Sequence, residues 1–190
     1  DNLRDIIKTF GEEEEASKIS KNIIKQRANK QINTTDELVK IIKKSKKKNY
    51  KKKIDESTKT FQAIRIFVNR EVSELIEGII KATKILKPGG KLIVISFHSI
   101  EDKIIKFYFK NFSKNHSRSN KYLPESDNNL SLFNDYKNKI IKATSNELTV
   151  NPRSRSAKLR VATRSTEKFV EPRELRNKFK HLTDLEERIA

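Results

Sequence analysis

A continuous run of apolar, largely β-branched residues, KLIVISF at positions 91–97, strongly constrains the fold of this chain. The run has the length of a strand, and its lack of polar alternation is typical of a strand covered on both faces. It directly follows Lys87-Pro88-Gly89-Gly90, which predicts the end of a helix because proline and glycine continue one poorly. Helix, turn and buried strand in succession predict an α/β fold.

Amphipathic spacing predicts helices on both sides of this strand. Apolar residues recur at three- and four-residue intervals over 1–28 and again over 60–86, which predicts one helix in each range. Between them, Thr34 and Glu37 have the spacing of a capping box at the start of another helix. A further helix is expected over 99–112, with its first residue, a serine, as the cap.

The rest of the chain is predicted to contain two more strands and a terminal amphipathic segment. Residues 113–137 are rich in Asn, Ser and Lys and indicate a long, disordered-like loop. Strands are expected at 139–144 and 158–165, joined through an arginine-rich turn. The tail, 166–190, is expected to pack on this chain or on a partner. Its apolar residues fall on one side of a helix: Leu175, Phe179, Leu182, Leu185 and Ile189.

Positive charge is concentrated in two segments. The chain has 43 Lys and Arg residues against 25 Asp and Glu residues, a net charge of +18. Nine lysines and no acid lie within Lys40–Lys53, and five cations lie within Asn151–Ser165. Clustered cations attract polyanions such as nucleic acids. For the lysine run, a solvated loop produced by AT-rich codon usage is an equally good interpretation, whereas the arginines of the second segment resist that explanation.

The residue types that are absent exclude several chemistries. Without cysteine there is no thiol catalysis, disulfide or cysteine-bearing metal site, which fits a reducing, cytoplasmic location. Three scattered histidines give no reason to expect a metal. No apolar run approaches the roughly 18 residues that span a bilayer, so no membrane association is expected. Methionine is also absent and the chain begins at Asp1, so we expect an upstream piece to be missing.

Three longer stretches carry a resemblance to a known family. They are TFQAIRIFVN at 60–69, VISFHSIED at 94–102 and NPRSRSAKLRVA at 151–162. Together with FGEE at 10–13 and TTDEL at 34–38, they resemble the bacterial small-subunit ribosomal RNA cytosine-N4-methyltransferases, the MraW/RsmH family. The stretches occur in the order that the family has, and the resemblance extends from residue 1 to about residue 165.

The resemblance implies a Rossmann-like class I methyltransferase domain interrupted by a helical substrate domain, with this chain as its incomplete carboxy-terminal part. Residues 1–59 are then a partial helical insert for substrate recognition, 60–165 the C-terminal half of the methyltransferase domain, and 166–190 the tail. The three strands are expected side by side, with the last one antiparallel and one edge of strand 91–97 bare. The implied cofactor is S-adenosylmethionine, but its glycine-rich turn is expected in the missing half, since this chain has only four glycines.

Five residues are predicted to contact RNA. Arg153 and Arg155 lie in a turn started by proline, where guanidinium groups suit phosphate, with salt bridges between strands as the alternative. Lys158 belongs to the same basic segment. Arg65 and Asn69 lie four residues apart on one helix face, where they either meet RNA or bridge two domains.

His98 follows the predicted strand at its carboxyl end, where α/β folds place ligands. It is the candidate catalytic residue, for ordering the target base or the surroundings of the cofactor. In the competing interpretation, its side chain only hydrogen-bonds local backbone. Ser99, Glu101 and Asp102 fit the start of a helix better than catalysis. No nucleophile elbow surrounds Ser99, so a Ser/His/Asp hydrolase is not indicated.

The activity that the resemblance implies is methyl transfer from S-adenosylmethionine to N4 of a cytidine in the decoding region of 16S ribosomal RNA. The implied partner is that RNA or the small ribosomal subunit, and a homodimer stays open. We expect the chain alone to be inactive and to bind no cofactor. Two alternatives remain: a non-catalytic basic RNA-binding module, and a class I methyltransferase with another substrate.

Overall fold

The computed structural model describes residues 2–46, 55–114, 131–134 and 136–188. Two compact units are present, one from Asp1–Glu71 with Leu182–Ala190 and one from Val72–His181. The domain boundaries expected from the sequence, after residues 59 and 165, stay a prediction. Within the described ranges, no helix is both long enough and apolar enough to cross a membrane.

The first unit is helical. Its described residues form the helices α1 (Asn2–Gly11), α2 (Ala16–Asn29), α3 (Thr35–Ser45) and α4 (Thr58–Val68), and they include the end of the last helix. The single helix expected over 1–28 is wrong, because the chain turns after α1, where Glu12 has a φ of 47°, outside the α-helical range. The capping box is confirmed. Thr34 Oγ1 accepts from the backbone N–H of Glu37, and the Glu37 carboxylate accepts from the backbone N–H of Thr34.

An apolar cluster holds the first three helices together. Its buried members are Ile7, Ala16, Ile19, Ile23 and Ile42. Five half-buried side chains pack around it: Leu3, Ile32, Leu38, Ile41 and Phe61. Helices α1 and α4 approach closely at Gly11, where a Cβ atom would stand 2.6 Å from the carbonyl oxygen of Lys59. Only glycine fits this crossing without displacing a helix.

The second unit combines a sheet with helices. Its strands are β1 (Lys91–Ser96), β2 (Ile141–Lys142) and β3 (Lys158–Thr163). The remaining α-helices among the described residues are α5 (Glu71–Ile85), α6 (Ser99–Asn111), α7 (Ser145–Val150) and α8 (Arg173–Glu187). The single helix expected over 60–86 is wrong, since Arg70, with a φ of 51°, separates α4 from α5. The predicted helix stop before the strand is confirmed. Helix α5 ends at Ile85, and Gly89 has a φ of 79°, a conformation that favours glycine.

Strand β3 lies in the middle of the sheet and runs antiparallel to both β1 and β2. Ser96 pairs with Lys158, and Ile141 pairs with Leu159. The expected side-by-side arrangement is confirmed, and within the described residues β1 is an edge strand with one neighbour. The strand expected at 139–144 is shorter than predicted, since only two of its residues pair with β3.

One face of β1 is open, although a strand covered on both faces was expected. Ile93 and Ile95 are 57% and 53% exposed, and Phe97, the residue after the strand, is 55% exposed. The strand is therefore covered on one side only within the part of the chain that the structure describes.

Along β3, a charged residue is more deeply buried than its apolar neighbours, which is the reverse of what their hydrophobicity suggests. Arg160 and Ala162 are buried, whereas Leu159 and Val161 are half-buried. The register places Leu159 opposite Ile95, so the apolar residues of β3 share the open face of β1. A buried arginine requires internal partners, which are described below.

The predicted amphipathic tail forms α8, and its packing on this chain is confirmed. Four of its apolar residues are buried: Leu175, Phe179, Leu182 and Leu185. Ile189 lies outside the described residues. The ring of Phe179 meets that of Phe107 edge-on at 5.5 Å between centroids, and Arg176 binds the carboxylates of Glu77 and Glu171.

Most of the loop expected over 113–137 lies outside the described residues, as does the lysine-rich stretch 47–54. Some of its described residues are packed, in contrast to the expected low order. Leu132 and Phe133 are buried, and Phe133 forms β-bridges with Ser113 and Arg164.

Candidate RNA interface at the carboxyl end of the first strand

The end of β1 and the start of β3 lie at the same edge of the sheet, because the two strands are antiparallel and Ser96 is opposite Lys158. The Ser96 hydroxyl also donates to the carbonyl oxygen of Lys158 at 3.3 Å. His98 follows β1 at this edge, and the arginine-rich turn Pro152–Ser156 leads into β3 there. The sheet therefore brings together two motifs that are distant in sequence.

Arg153 and Arg155 lie on the 3-10 turn Pro152–Ser156. Proline suits the first position of this turn because its φ is fixed. Ser154, between the arginines, is buried, and its hydroxyl donates to the carbonyl oxygen of Asn151 at 2.7 Å. Both arginines are exposed, and neither forms an ion pair with any residue that the structure describes. Their guanidinium groups are free to bind an anion with bidentate geometry.

A buried ionic network joins β3 to the first turn of α6. Asp102 Oδ1 accepts from Arg160 Nε at 2.7 Å, and Asp102 Oδ2 accepts from Lys158 Nζ at 3.0 Å. Arg160 is only 2% exposed, and its Nη1 also donates to the Tyr136 hydroxyl at 2.7 Å and to Asn138 Oδ1 at 3.0 Å. Burial opposes the charge of Asp102. The hydrogen bonds from Arg160 and Lys158 outweigh that effect and hold the pKa of this carboxyl below its usual value.

This network was not predicted from the sequence. Asp102 does lie at the start of a helix, as expected, but its carboxylate also serves β3. Lys158, a predicted RNA contact, is engaged by Asp102. The available signal was Arg160 itself, a charged residue between Leu159 and Val161 in a predicted strand, but no local pattern identifies its partner.

His98, and not Ser99 as expected, caps α6. Its side chain is 5% exposed, its Nδ1 accepts from the backbone N–H of Glu101 at 3.4 Å, and its Nε2 lies 3.3 Å from Glu101 Oε1. The Glu101 carboxylate in turn accepts from the backbone N–H groups of Phe97 and His98. Burial opposes the charge of Glu101, but hydrogen bonds from His98 and Phe97 lower its pKa. This is the local backbone role that competed with a chemical one, and a catalytic role for His98 stays a prediction.

Arg65 and Asn69 belong to the first unit, at the end of α4. Arg65 Nε and Nη2 donate to the two carboxylate oxygens of Glu71 at 2.7 and 3.1 Å. Asn69 Nδ2 donates to Glu71 Oε1 at 3.4 Å. Both predicted RNA contacts therefore hold a carboxylate of this chain, and their contact with RNA stays a prediction.

The glycines do not form a cradle for S-adenosylmethionine, which would need a glycine-rich turn where the backbone approaches the ligand. Gly11 lies against Lys59 and a Cβ atom at Gly90 would meet Leu86, while Gly78 lies within α5 and Gly89 forms the helix-stop turn. These are the four glycines of the chain. The residues that the structure describes therefore contain no glycine-rich turn of this kind.

The residues of this interface lie within a longer segment that matches a known protein family. A family model described as the MraW methylase family matches residues 1–165. The chain belongs to the MraW methylase family. The resemblance drawn from the three sequence stretches is thereby confirmed.

Curated relatives of this MraW-family chain carry the name ribosomal RNA small subunit methyltransferase H. The protein from Ruegeria sp. (strain TM1040) is 39% identical over 163 residues, which cover 86% of this chain and 50% of the relative. The protein from Wolbachia pipientis subsp. Culex pipiens is 44% identical over 162 residues, 85% of this chain and 51% of the relative. The protein from Ehrlichia ruminantium (strain Gardel) is 45% identical over 159 residues, 83% of this chain and 50% of the relative. The chain spans about half the length of these relatives.

Proposed function

We propose that this chain is the RNA-facing part of an S-adenosylmethionine-dependent methyltransferase that modifies N4 of a cytidine in the decoding region of small-subunit ribosomal RNA. The observation that carries the proposal is the family match over residues 1–165. The shared name of the relatives, ribosomal RNA small subunit methyltransferase H, supports the substrate class. A ribosomal substrate supports a cytoplasmic location.

The chain's own contribution is to bind and position RNA. Arg153 and Arg155 neutralise backbone phosphates at the edge of the sheet where β1 ends. The Asp102 network holds β3 against α6, so the turn that carries these arginines leads into a fixed strand. Holding the RNA in one orientation lowers the barrier to methyl transfer by proximity, without a chemical role for these residues.

The side-chain contacts of the other predicted RNA-binding residues indicate a different role for them. Lys158, Arg65 and Asn69 each hold a carboxylate of this chain, which supports a positioning role for them. We propose that residues 1–59 form the substrate-recognition insert. The three-stranded sheet is then the C-terminal part of a Rossmann-like class I methyltransferase sheet.

The proposed site of S-adenosylmethionine lies outside this chain. All four glycines serve helix packing, a helix interior or a helix-stop turn, and the relatives are about twice as long as the matched segment. The alternative, a non-catalytic basic RNA-binding module, is favoured by the same lack of a cradle among the described residues. It shares the RNA interface and differs only in the absence of methylation.

The RNA contact is tested by fluorescence anisotropy of the full chain with a short, fluorescein-labelled single-stranded RNA over a range of salt concentrations. Each lost phosphate contact reduces the slope of log K against log salt by about 0.7 for a single strand. We expect Arg153→Ala with Arg155→Ala to reduce the slope by about 1.4.

The matched control is Lys106→Ala with Lys110→Ala, which removes two exposed charges from α6. The control is expected to leave the slope almost unchanged. Equal slopes for the two double variants would overturn the assignment of the interface.

A further inference from the structure

A cavity of about 260 Å³ lies in the first unit, lined by residues from the end of α2 to α3. Ile32 and Ile41 form its apolar wall. Both side chains are half-buried and pack against the apolar cluster of this unit, so the wall belongs to the core. The cavity therefore presents a supported apolar surface to a flat ligand.

Unpaired positive charge lies on one side of this cavity. Lys40 and Lys44 are one turn apart on α3 and are exposed. Neither forms an ion pair with a residue in the described ranges. An anionic group bound here would meet two cations without first breaking a salt bridge.

The acidic residue of the cavity is already engaged. The Glu37 carboxylate accepts from the backbone N–H groups of Asn33 at 2.8 Å and of Thr34 at 3.3 Å, and from Lys30 Nζ at 3.2 Å. These hydrogen bonds, led by the one from Asn33, hold the pKa of Glu37 below its usual value. The Glu37 carboxylate is thus already engaged by the helix cap and by Lys30. The cavity therefore has a net excess of positive charge.

Gln26 and Gln31 complete the lining. A side-chain amide has two donors and an acceptor, which match the edge of a nucleobase. Sequence-specific RNA recognition uses unstacked bases of single strands, placed against flat or apolar surfaces and hydrogen-bonded at their edges. The cavity joins three suitable elements: an apolar wall, amide groups and two free cations.

We infer that this cavity binds one nucleotide of single-stranded RNA. The base lies against Ile32 and Ile41, its edge faces the amides of Gln26 and Gln31, and its phosphate lies near Lys40 and Lys44. The cavity is slightly smaller than the roughly 300–1,000 Å³ of drug-sized sites, which suits one nucleotide and not a duplex. This inference rests on the proposed function and gives the helical unit its own contact with the substrate RNA.

The first test is an NMR titration of the full chain with cytidine 5′-monophosphate as the probe. We expect shifts in the backbone amide signals of Gln31, Ile32 and Ile41, and much smaller shifts with inorganic phosphate. Shifts of equal size with phosphate alone would mean an anion patch without a base site and would overturn the inference. No shift at these residues would also overturn it.

Two pairs of variants, matched in charge, then distinguish RNA binding in the cavity from a general electrostatic attraction between the chain and RNA. Lys40→Ala with Lys44→Ala removes the contact with one phosphate and is expected to reduce the salt slope of RNA binding by about 0.7, whereas Lys106→Ala with Lys110→Ala leaves it nearly unchanged. Gln31→Glu adds a negative charge to the cavity with little change in shape, and Asn177→Asp adds one on the exposed side of α8. We expect about tenfold weaker RNA binding for Gln31→Glu and an unchanged affinity for Asn177→Asp.

Failure of this inference can be told from failure of the proposed function. If wild-type chain binds RNA and only Arg153→Ala with Arg155→Ala weakens it, the cavity is not a nucleotide site and the proposed interface stands. If the wild-type chain binds no RNA at all, the proposed function itself is contradicted, and the inference with it.

Discussion

Arg160 Nε lies 2.7 Å from Asp102 Oδ1, which ties the central strand β3 to the first turn of α6. Arg160 is 2% exposed, and a buried charge is costly unless it is paired. The same carboxylate also accepts from Lys158, the residue opposite the end of β1. One acid thus fixes the edge of the sheet where the arginine turn enters β3.

Replacing Arg160 with methionine removes the charged partner and keeps a side chain of comparable length. Asp102 is then left buried with Lys158 as its remaining cation, and we expect the free energy of unfolding to fall by about 3 kcal/mol. Urea denaturation followed by circular dichroism measures the change. Arg153→Met, on the exposed turn, is the control and is expected to stay within about 0.5 kcal/mol of wild type. Similar stabilities for the two variants would contradict the structural role of the network.

Acidification is expected to remove the contribution of the Asp102 carboxylate to the stability of the fold. Its pKa in the folded chain lies below the reference value of 3.8, so the carboxylate stabilises the fold above about pH 4 and loses this effect as the pH falls through the folded pKa. Asp102→Asn should therefore be less stable than wild type at pH 7, and the difference should shrink below pH 4. Denaturation at a series of pH values checks this, with Asp36→Asn on α3 as an exposed control. A difference that is constant with pH would show that the charge of Asp102 is not involved.

Substitution by alanine at two glycines should change the stability of the chain in opposite directions. At Gly11 the new Cβ atom would stand 2.6 Å from the Lys59 carbonyl oxygen and force α1 from α4, at a cost of about 1–3 kcal/mol. At Gly78, inside α5, nothing lies within 4 Å, and alanine should add about 0.5–1 kcal/mol of stability because it favours helix. Thermal unfolding of Gly11→Ala and Gly78→Ala measures both. Shifts in the same direction would contradict the close crossing at Gly11.

The chain alone should neither bind S-adenosylmethionine nor transfer its methyl group. The four glycines serve helix packing, a helix interior and a turn, so no backbone cradle is formed by the residues that the structure describes. Isothermal titration calorimetry of the full chain with S-adenosylmethionine is expected to give no saturable heat. A micromolar dissociation constant would show that a cofactor site exists here after all.

Features set by neighbouring residues could be predicted from the sequence. The capping box of Thr34 and Glu37 and the helix stop near Gly89 depend on spacing and on backbone preference, and both are confirmed. The breaks at Glu12 and Arg70 could not be predicted, because each uses a positive φ at a residue other than glycine. Amphipathic spacing continues across such a break and suggests one helix where there are two.

The candidate interface likewise has features that can be predicted from the sequence and features that cannot. The exposed turn that carries Arg153 and Arg155 follows from its proline and its local polarity. The partners of Lys158 and Arg160 do not, because Asp102 lies 58 residues before Arg160 in the sequence. Tertiary contacts decide which cations remain free, so a count of positive charge overstates the number available to RNA.

The assignment to small-subunit ribosomal RNA is tested most directly by mass mapping of that RNA from cells in which the whole gene that encodes this chain has been deleted. We predict that N4-methylation of the decoding-region cytidine is lost. It should return with the wild-type gene and return only partly with a gene that carries Arg153→Ala and Arg155→Ala. Intact N4-methylcytidine in the cells that lack the gene would contradict the proposed activity.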